Sequence, residues 1–302
     1  MDGRVIAVDR GRYQVLLGGG VTITAMKSRN LARKGIVVGD SVGLVGDLSG
    51  GRDTMARIVR QNPRGSVLRR TADDNDPVER VIVANADQLV IVTALADPPP
   101  RTRLIDRCLV AAYDAGLTPI LLLTKSDLVS PVDLLSQYGD LDVGVLVTRV
   151  TPQGTEGLDE VRAALSGQVS VLVGHSGVGK STLVNALVPD ASRVTGHVND
   201  VTGRGRHISS SAVALPLPGD SGWVIDTPGV RSFGLAHVDL DRIIDHFPEL
   251  AVGTTECPRA CSHDEPDCGL DEFVAREAGG QPHLARRLES LRRLLRSRSS
   301  EE

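Results

Sequence analysis

The segment Gly174-His175-Ser176-Gly177-Val178-Gly179-Lys180-Ser181 constrains this chain more than any other. It fits G-x-x-x-x-G-K-[ST], in which glycines let the backbone wrap closely around phosphates and aim N–H groups at them from a helix N-terminus. A strand-like apolar run, 169–173, precedes it, and a helical run beginning at Thr182 follows. That strand–loop–helix setting is what a phosphate-binding loop requires. There the Lys180 ammonium would bridge the β- and γ-phosphates of a nucleotide, and the Ser181 hydroxyl would hold Mg²⁺. The competing reading is a chance match, in a chain with few lysines.

Two further motifs fit the same chemistry. Asp226-Thr227-Pro228-Gly229 follows the apolar run 223–225. A carboxylate at a strand end, here Asp226, can hold Mg²⁺ through water, and the Gly229 N–H can contact a γ-phosphate. Thr124-Lys125-Ser126-Asp127 closes the run 120–123 and resembles the guanine motif N-K-x-D, with Thr in place of Asn. Asp127 would accept hydrogen bonds from the N1–H and exocyclic amine of guanine. Adenine lacks that pair, and a carboxylate left unpaired rejects it strongly. The Lys125 stem would lie along the base.

The order of the motifs is decisive. In an ordinary GTPase the phosphate loop comes first; here the base motif (124–127) precedes the loop (174–181) and the D-x-x-G (226–229). The chain therefore reads as a circularly permuted α/β P-loop GTPase domain over 85–236. Helical patterns at 103–115 and 158–165 alternate with the apolar runs 89–92, 119–123, 143–147 and 169–173, as in a mostly parallel sheet. GTP with Mg²⁺ is the implied ligand.

The rest of the 302-residue chain is long enough for a second domain. Apolar residues at 41% and charged residues at 24% exclude collagen, coiled coil and wholesale disorder. Residues 1–70 hold 13 Lys and Arg against 5 Asp, a net of +8, within a chain of net −4. Such asymmetry suggests a polyanionic partner for the basic part, or merely a basic surface. Short strands at 4–8, 13–17, 21–25 and 41–45, separated by glycine turns, predict an N-terminal OB-like β-barrel over 1–72. Tyr13 is its one aromatic residue, so any RNA binding there must rest on phosphate electrostatics, chiefly the six arginines of 52–70, rather than on stacking. Residues 71–84 are polar and read as a linker. The longest apolar runs fall far short of the roughly 20 residues a spanning helix needs. Met1-Asp2-Gly3-Arg4 opens no basic-then-apolar leader. The expectation is a cytoplasmic protein with no membrane or DNA partner, acting as a monomer.

Residues 237–302 read as a mostly helical zinc-binding domain. Cys257-x₃-Cys261-x-His263-x₄-Cys268 offers three thiolates and an imidazole, a closed tetrahedral set of the structural kind, for one Zn²⁺. Free thiols or a disulfide are the alternatives. Cys108, in a helical apolar stretch, reads as a buried small hydrophobe. Leu284, Leu288, Leu291 and Leu295 repeat at helical spacing among arginines, which suggests a helix with one packed and one solvated basic face; contact with RNA is the other reading. Residues 297–302 are expected to fray.

A basic barrel, a permuted GTPase domain and a Cys/His segment together resemble the ribosome small-subunit-dependent GTPase A (RsgA/YjeQ) family, over about residues 3–295. Stretches 94–98, 103–112 and 226–235 carry the likeness further. The resemblance implies a GTPase of late small-subunit maturation that grips ribosomal RNA and is stimulated by the assembled small ribosomal subunit. It also implies a switch over 203–211, where Ile208, Ser209 and Ser210 take the places of the family's three threonines, and gives His207 the catalytic task of orienting water. Val230 occupies the place of the usual glutamine and cannot do so. A structural or phosphate-contacting His207 is the alternative. At the level of function, the alternatives are a GTP-switched RNA-binding scaffold with little turnover and a P-loop ATPase.

Overall fold

The computed structural model describes residues 1–31, 35–51, 54–71, 78–189, 212–228, 233–277 and 283–299. Runs of β-branched residues between glycine turns build the N-terminal module. Strands β1 (Asp2–Asp9), β2 (Arg12–Leu17), β3 (Thr22–Lys27), β4 (Ser41–Gly46) and β5 (Ala56–Gln61) pair in the order β1-β2-β3-β5-β4. A β1–β4 pairing closes the ring, so the barrel has five strands and no free edge between them. Alternate residues point inward; Val5, Val15, Ile23, Val42, Leu44 and Ile58 fill the centre. Strand β5 was hidden in the arginine-rich run: Ala56 and Ile58 are buried while Arg57 and Arg60 face out.

The linker expected over 71–84 is corrected by the structure. Strands β6 (Val67–Arg70) and β7 (Arg80–Ala84) form an antiparallel hairpin. Val83 and Ala84 are fully buried, and so is Thr71, whose N–H donates to the Gly234 carbonyl at 3.1 Å. The β-branched residues of 80–84 pack, whatever the polarity of the chain before them.

The central sheet has the order β10-β9-β8-β13-β15-β14. Its strands β8 (Gln88–Ala94), β9 (Thr118–Thr124), β10 (Gly144–Val147), β13 (Gln168–Gly174) and β15 (Gly222–Asp226) are parallel, and β14 (Val213–Pro216) is antiparallel to β15. A small hairpin, β11 (Arg149–Thr151) and β12 (Gly154–Glu156), stands apart. Both faces of the sheet are covered, which is why its central strands read as unbroken apolar runs. One core holds α1 (Thr102–Asp114) and the C-terminal helices; the other holds α3 (Leu158–Leu165) and α4 (Lys180–Leu187). The single-turn helices α2 (Val132–Leu135) and α5 (Pro248–Ala251) lie in connections, and α6 (Gly269–Glu277) and α7 (Leu284–Ser299) end the chain. Leu284, Leu288, Leu291, Leu294 and Leu295 of α7 are buried. Each such burial contributes up to about 1.5–3 kcal/mol.

Barrel and central sheet are joined edge to edge. Ala7 of β1 pairs with Val213 of β14, and the Arg4 guanidinium lies 5.7 Å from the Trp223 ring centroid. At a second joint, Gly39 has φ +90°, and a Cβ there would stand 1.9 Å from the Ala84 carbonyl oxygen. Only glycine fits both the backbone and the gap. Beside it, the fully buried Asp40 carboxylate is satisfied by Arg64 at 2.7 and 2.8 Å, by Gln61 at 3.1 Å and by the Val37 N–H at 2.8 Å.

Candidate nucleotide site and metal centre

Three parallel strands deliver the three motifs to one side of the sheet. Thr124 ends β9, Gly174 ends β13 and Asp226 ends β15. In chain order β8, β9 and β10 run outward one way, and β13 and β15 the other. The β8/β13 boundary is thus a topological switch point, where open parallel sheets bind ligands beyond the carboxyl ends of their strands.

The phosphate loop occupies 174–179, and α4 starts at Lys180. Gly179 caps that helix at φ +90°, left-handed backbone open to glycine at little cost. His175, Ser176, Gly177 and Val178 form the turn; Ser181 and Thr182 sit in the first turn of α4, exposed to solvent. The helix N-terminus is suited to anions. Lys180 is buried, and its ammonium is hydrogen-bonded to the Asp226 carboxylate and the Thr227 carbonyl. The phosphate loop and the D-x-x-G therefore meet. Thr227 is anchored in turn by donating to the Leu172 carbonyl at 2.6 Å.

The base motif meets the same loop. The buried Thr124 hydroxyl donates to the Val178 carbonyl at 2.6 Å. Lys125 is bonded to the Asp97 carbonyl. Both the N–H and the hydroxyl of Ser126 donate to the Thr148 carbonyl, at 3.3 and 3.2 Å. Asp127 is exposed, and its carboxylate accepts the Val150 N–H at 3.2 Å, which fixes its orientation. A cavity of about 550 Å³ opens beside it, lined among others by Ser126, Asp127, Val147, Arg149 and Glu156. The 148–150 backbone was not assignable from sequence. Its residues match no motif, and only the parallel pairing of β10 with β9 brings them to the base loop.

His207 and Gly229 lie outside the described residues, as do Ile208, Ser209 and Val230.

Cys257, Cys261, His263 and Cys268 converge, with all four ligand atoms within 4.8 Å of one another. Zn–S bonds of about 2.3 Å put tetrahedral ligand atoms about 3.8 Å apart. Cys257 Sγ stands 3.9 Å from Cys268 Sγ and 3.6 Å from His263 Nδ1. The residues fit a zinc ion, and no disulfide joins the four cysteines in the structure. Burial pushes the Cys257 and Cys261 thiols up, a cost that a divalent cation would offset. Glu265 braces the loop by accepting the Ser262 N–H at 2.9 and 3.0 Å. Cys108, by contrast, is buried in the core and its thiol is pushed up to about 12 by burial, as an inert residue.

The solvated basic face expected of α7 is present in part: Arg286 and Arg296 are exposed, whereas Arg287, Arg292 and Arg293 are half-buried, and all five bond to groups of this chain. Ser297, expected to fray, is buried, and its carbonyl accepts from the buried Arg107 at 2.6 Å.

The sequence model of the RsgA GTPase family matches residues 61–236, more than half of the chain. The chain belongs to the RsgA GTPase family. Its likeness extends past the matched stretch. A protein of Streptomyces coelicolor named small ribosomal subunit biogenesis GTPase RsgA is 36% identical over 98% of this chain and 80% of its own length. A Pseudomonas aeruginosa relative of the same name is 42% identical over 73% of this chain. The matched region spans 66% of that relative, just under two thirds. Among solved structures, YjeQ from Thermotoga maritima is similar with a TM-score of 0.69 and 25% identity, over 100% of this chain and 99% of that one. YloQ, described as a circularly permuted GTPase, has a TM-score of 0.63 at 22% identity, over 100% and 96% of the two chains, and supports the fold. For this RsgA-family chain, the permuted motif order is thus matched by a permuted fold. No described helix is long and apolar enough to cross a membrane.

Proposed function

We propose that the chain hydrolyses GTP to GDP and phosphate in the cytoplasm, acting as a monomer in late maturation of the small ribosomal subunit. The observation that carries the reading is the convergence of Thr124, Lys180 and Asp226, from three separate motifs, beyond the carboxyl ends of the parallel strands. Asp127 selects guanine. The loop from Gly174 to Thr182 and the Lys180 ammonium hold the phosphates, and Gly229 contacts the γ-phosphate. Mg²⁺, held by Ser181 and through water by Asp226, would neutralise charge on the phosphates. Water attacks the γ-phosphorus and the bond to the β-phosphate oxygen breaks; the chain contributes positioning and charge stabilisation. His207 orients that water. The barrel over 1–72 docks on ribosomal RNA through phosphate contacts, residues 85–236 form the GTPase domain, and 237–302 complete the docking surface around one structural Zn²⁺. The relatives' name, which places them in small-subunit biogenesis, supports the partner.

Competition between GTP and ATP tests base selection. GTP is expected to win by at least about 10⁴-fold, with Asp127→Asn removing most of that margin. Equal binding would mean a P-loop ATPase. His207→Ala is expected to lower subunit-stimulated kcat by about 10² or more. Unchanged stimulated turnover would reject the histidine's role.

A further inference from the structure

Helix α7 faces two ways. On one side, Arg292 donates to the His263 carbonyl at 3.0 Å and grips Asp271 with both arms of its fork, at 2.6 and 2.9 Å. One turn on, Arg296 pairs with Asp264 at 2.6 Å. These contacts hold the loop that carries the metal ligands. On the other side, Arg293 donates to the Gln137 carbonyl at 2.8 Å, pairs with the buried Asp106 of α1 at 3.2 Å and lies 4.6 Å from the Tyr138 ring centroid. Arg287 donates to the Asp140 carbonyl at 2.6 Å.

Residues 137–140 follow the base motif nine residues later, after two separate sets of short turns. The Tyr138 N–H bonds to Leu135, the Leu135 N–H to Pro131, and the Leu128 N–H to the Lys125 carbonyl, at 3.0, 2.9 and 3.0 Å. Tyr138 is itself buried and its hydroxyl bonds to the Thr102 carbonyl at the start of α1. The one helix, anchored by buried leucines, thus touches both the metal-ligand loop and the segment that follows the base motif. Neighbouring side chains, 292 and 293, carry the two ends of that path.

We propose that α7 couples the Cys/His metal centre energetically to the guanine pocket, with Arg293 as the positioning residue on the nucleotide side. The inference rests on reading the first site as a guanine-nucleotide site. Coupling is reciprocal: if bound metal favours the base loop's binding geometry, guanine nucleotide must tighten the metal by the same factor. A helix that served stability alone would raise the melting temperature without making zinc affinity depend on nucleotide.

The test is an equilibrium competition for zinc between the intact chain and a chromogenic chelator, with and without saturating GDP. The expected result is an apparent zinc affinity about 5-fold or more tighter with GDP. Zinc removal should weaken GDP binding by the same factor. The double variant Arg293→Met/Asp106→Asn removes both charges of the pair; it should keep full zinc content and lose that factor. Arg293→Lys keeps a charge for Asp106 but lacks the fork that also reaches Gln137. It should show the same loss, and it serves if the double variant does not fold. Zinc affinity indifferent to GDP in the parent chain overturns the proposal, and a factor that persists in the variants overturns the role of Arg293. A parent chain that binds no GDP overturns the site reading and the coupling together.

Discussion

Thr124 shows how one side chain can join two motifs. Its hydroxyl ties the base motif to the G-x-x-x-x-G-K-S loop through the Val178 carbonyl, so the two motifs share a hydrogen bond. Thr124→Val keeps the shape and leaves that buried carbonyl unpaired, at a cost of about 1–3 kcal/mol. GDP affinity, measured by a fluorescent analogue, is expected to fall about 10-fold; an unchanged affinity would show that the tie is idle. At this scale the sequence was most legible. Glycines, Lys180 and the carboxylates of Asp127 and Asp226 are demanded by phosphate and guanine chemistry itself, and they stand in fixed local spacing. The Val150 N–H on Asp127 was illegible, because a backbone donor has no residue type and only the fold supplies it.

Elements were legible where their period was clean and obscured where charge interrupted it. Strands β8, β9 and β13 read directly because both of their faces are buried. Strand β5 did not, since its outward arginines dominate the run, and β7 was masked by the polar residues before it. Helix α7 was recognised by its leucines, yet the fate of its arginines depends on carboxylates and carbonyls far away in sequence. One of those pairs has a pH signature. Hydrogen bonds from Arg292 hold the Asp271 carboxyl below its usual range. A carboxyl depressed in the folded state adds stability above its unfolded pKa of about 3.9 and loses it as pH falls through the lower folded value. Melting temperature should therefore drop on acidification below about pH 4, and Asp271→Asn should flatten that drop. Equal acid slopes would mean the pair adds nothing. The barrel joint is sharper. Gly39→Ala places a methyl against the Ala84 carbonyl and forces a non-glycine residue to φ +90°. A loss of about 3 kcal/mol or more is expected, read as a lowered melting temperature. An unchanged transition would show that the joint relaxes freely.

For the molecule as a whole, motif order was the most informative sequence feature. It specified a permuted GTPase before any contact was known. In chain order the permutation places the metal-ligand loop and α7 after β15, while the basic barrel is joined to the edge next to β15, where β1 pairs with β14. The joints themselves were not legible. Thr71 with Gly234, and Arg4 over Trp223, bring together residues remote in sequence that carry no motif. The measurement that tests the central claim most directly is GTP hydrolysis with and without purified small ribosomal subunits, at matched salt, since phosphate-mediated docking weakens steeply as salt rises. The expected result is turnover at least about 10-fold faster with subunits, a barrier lowered by about 1.4 kcal/mol or more. Unchanged turnover, with GTP binding intact, would contradict the account and leave a guanine-nucleotide switch whose partner lies elsewhere.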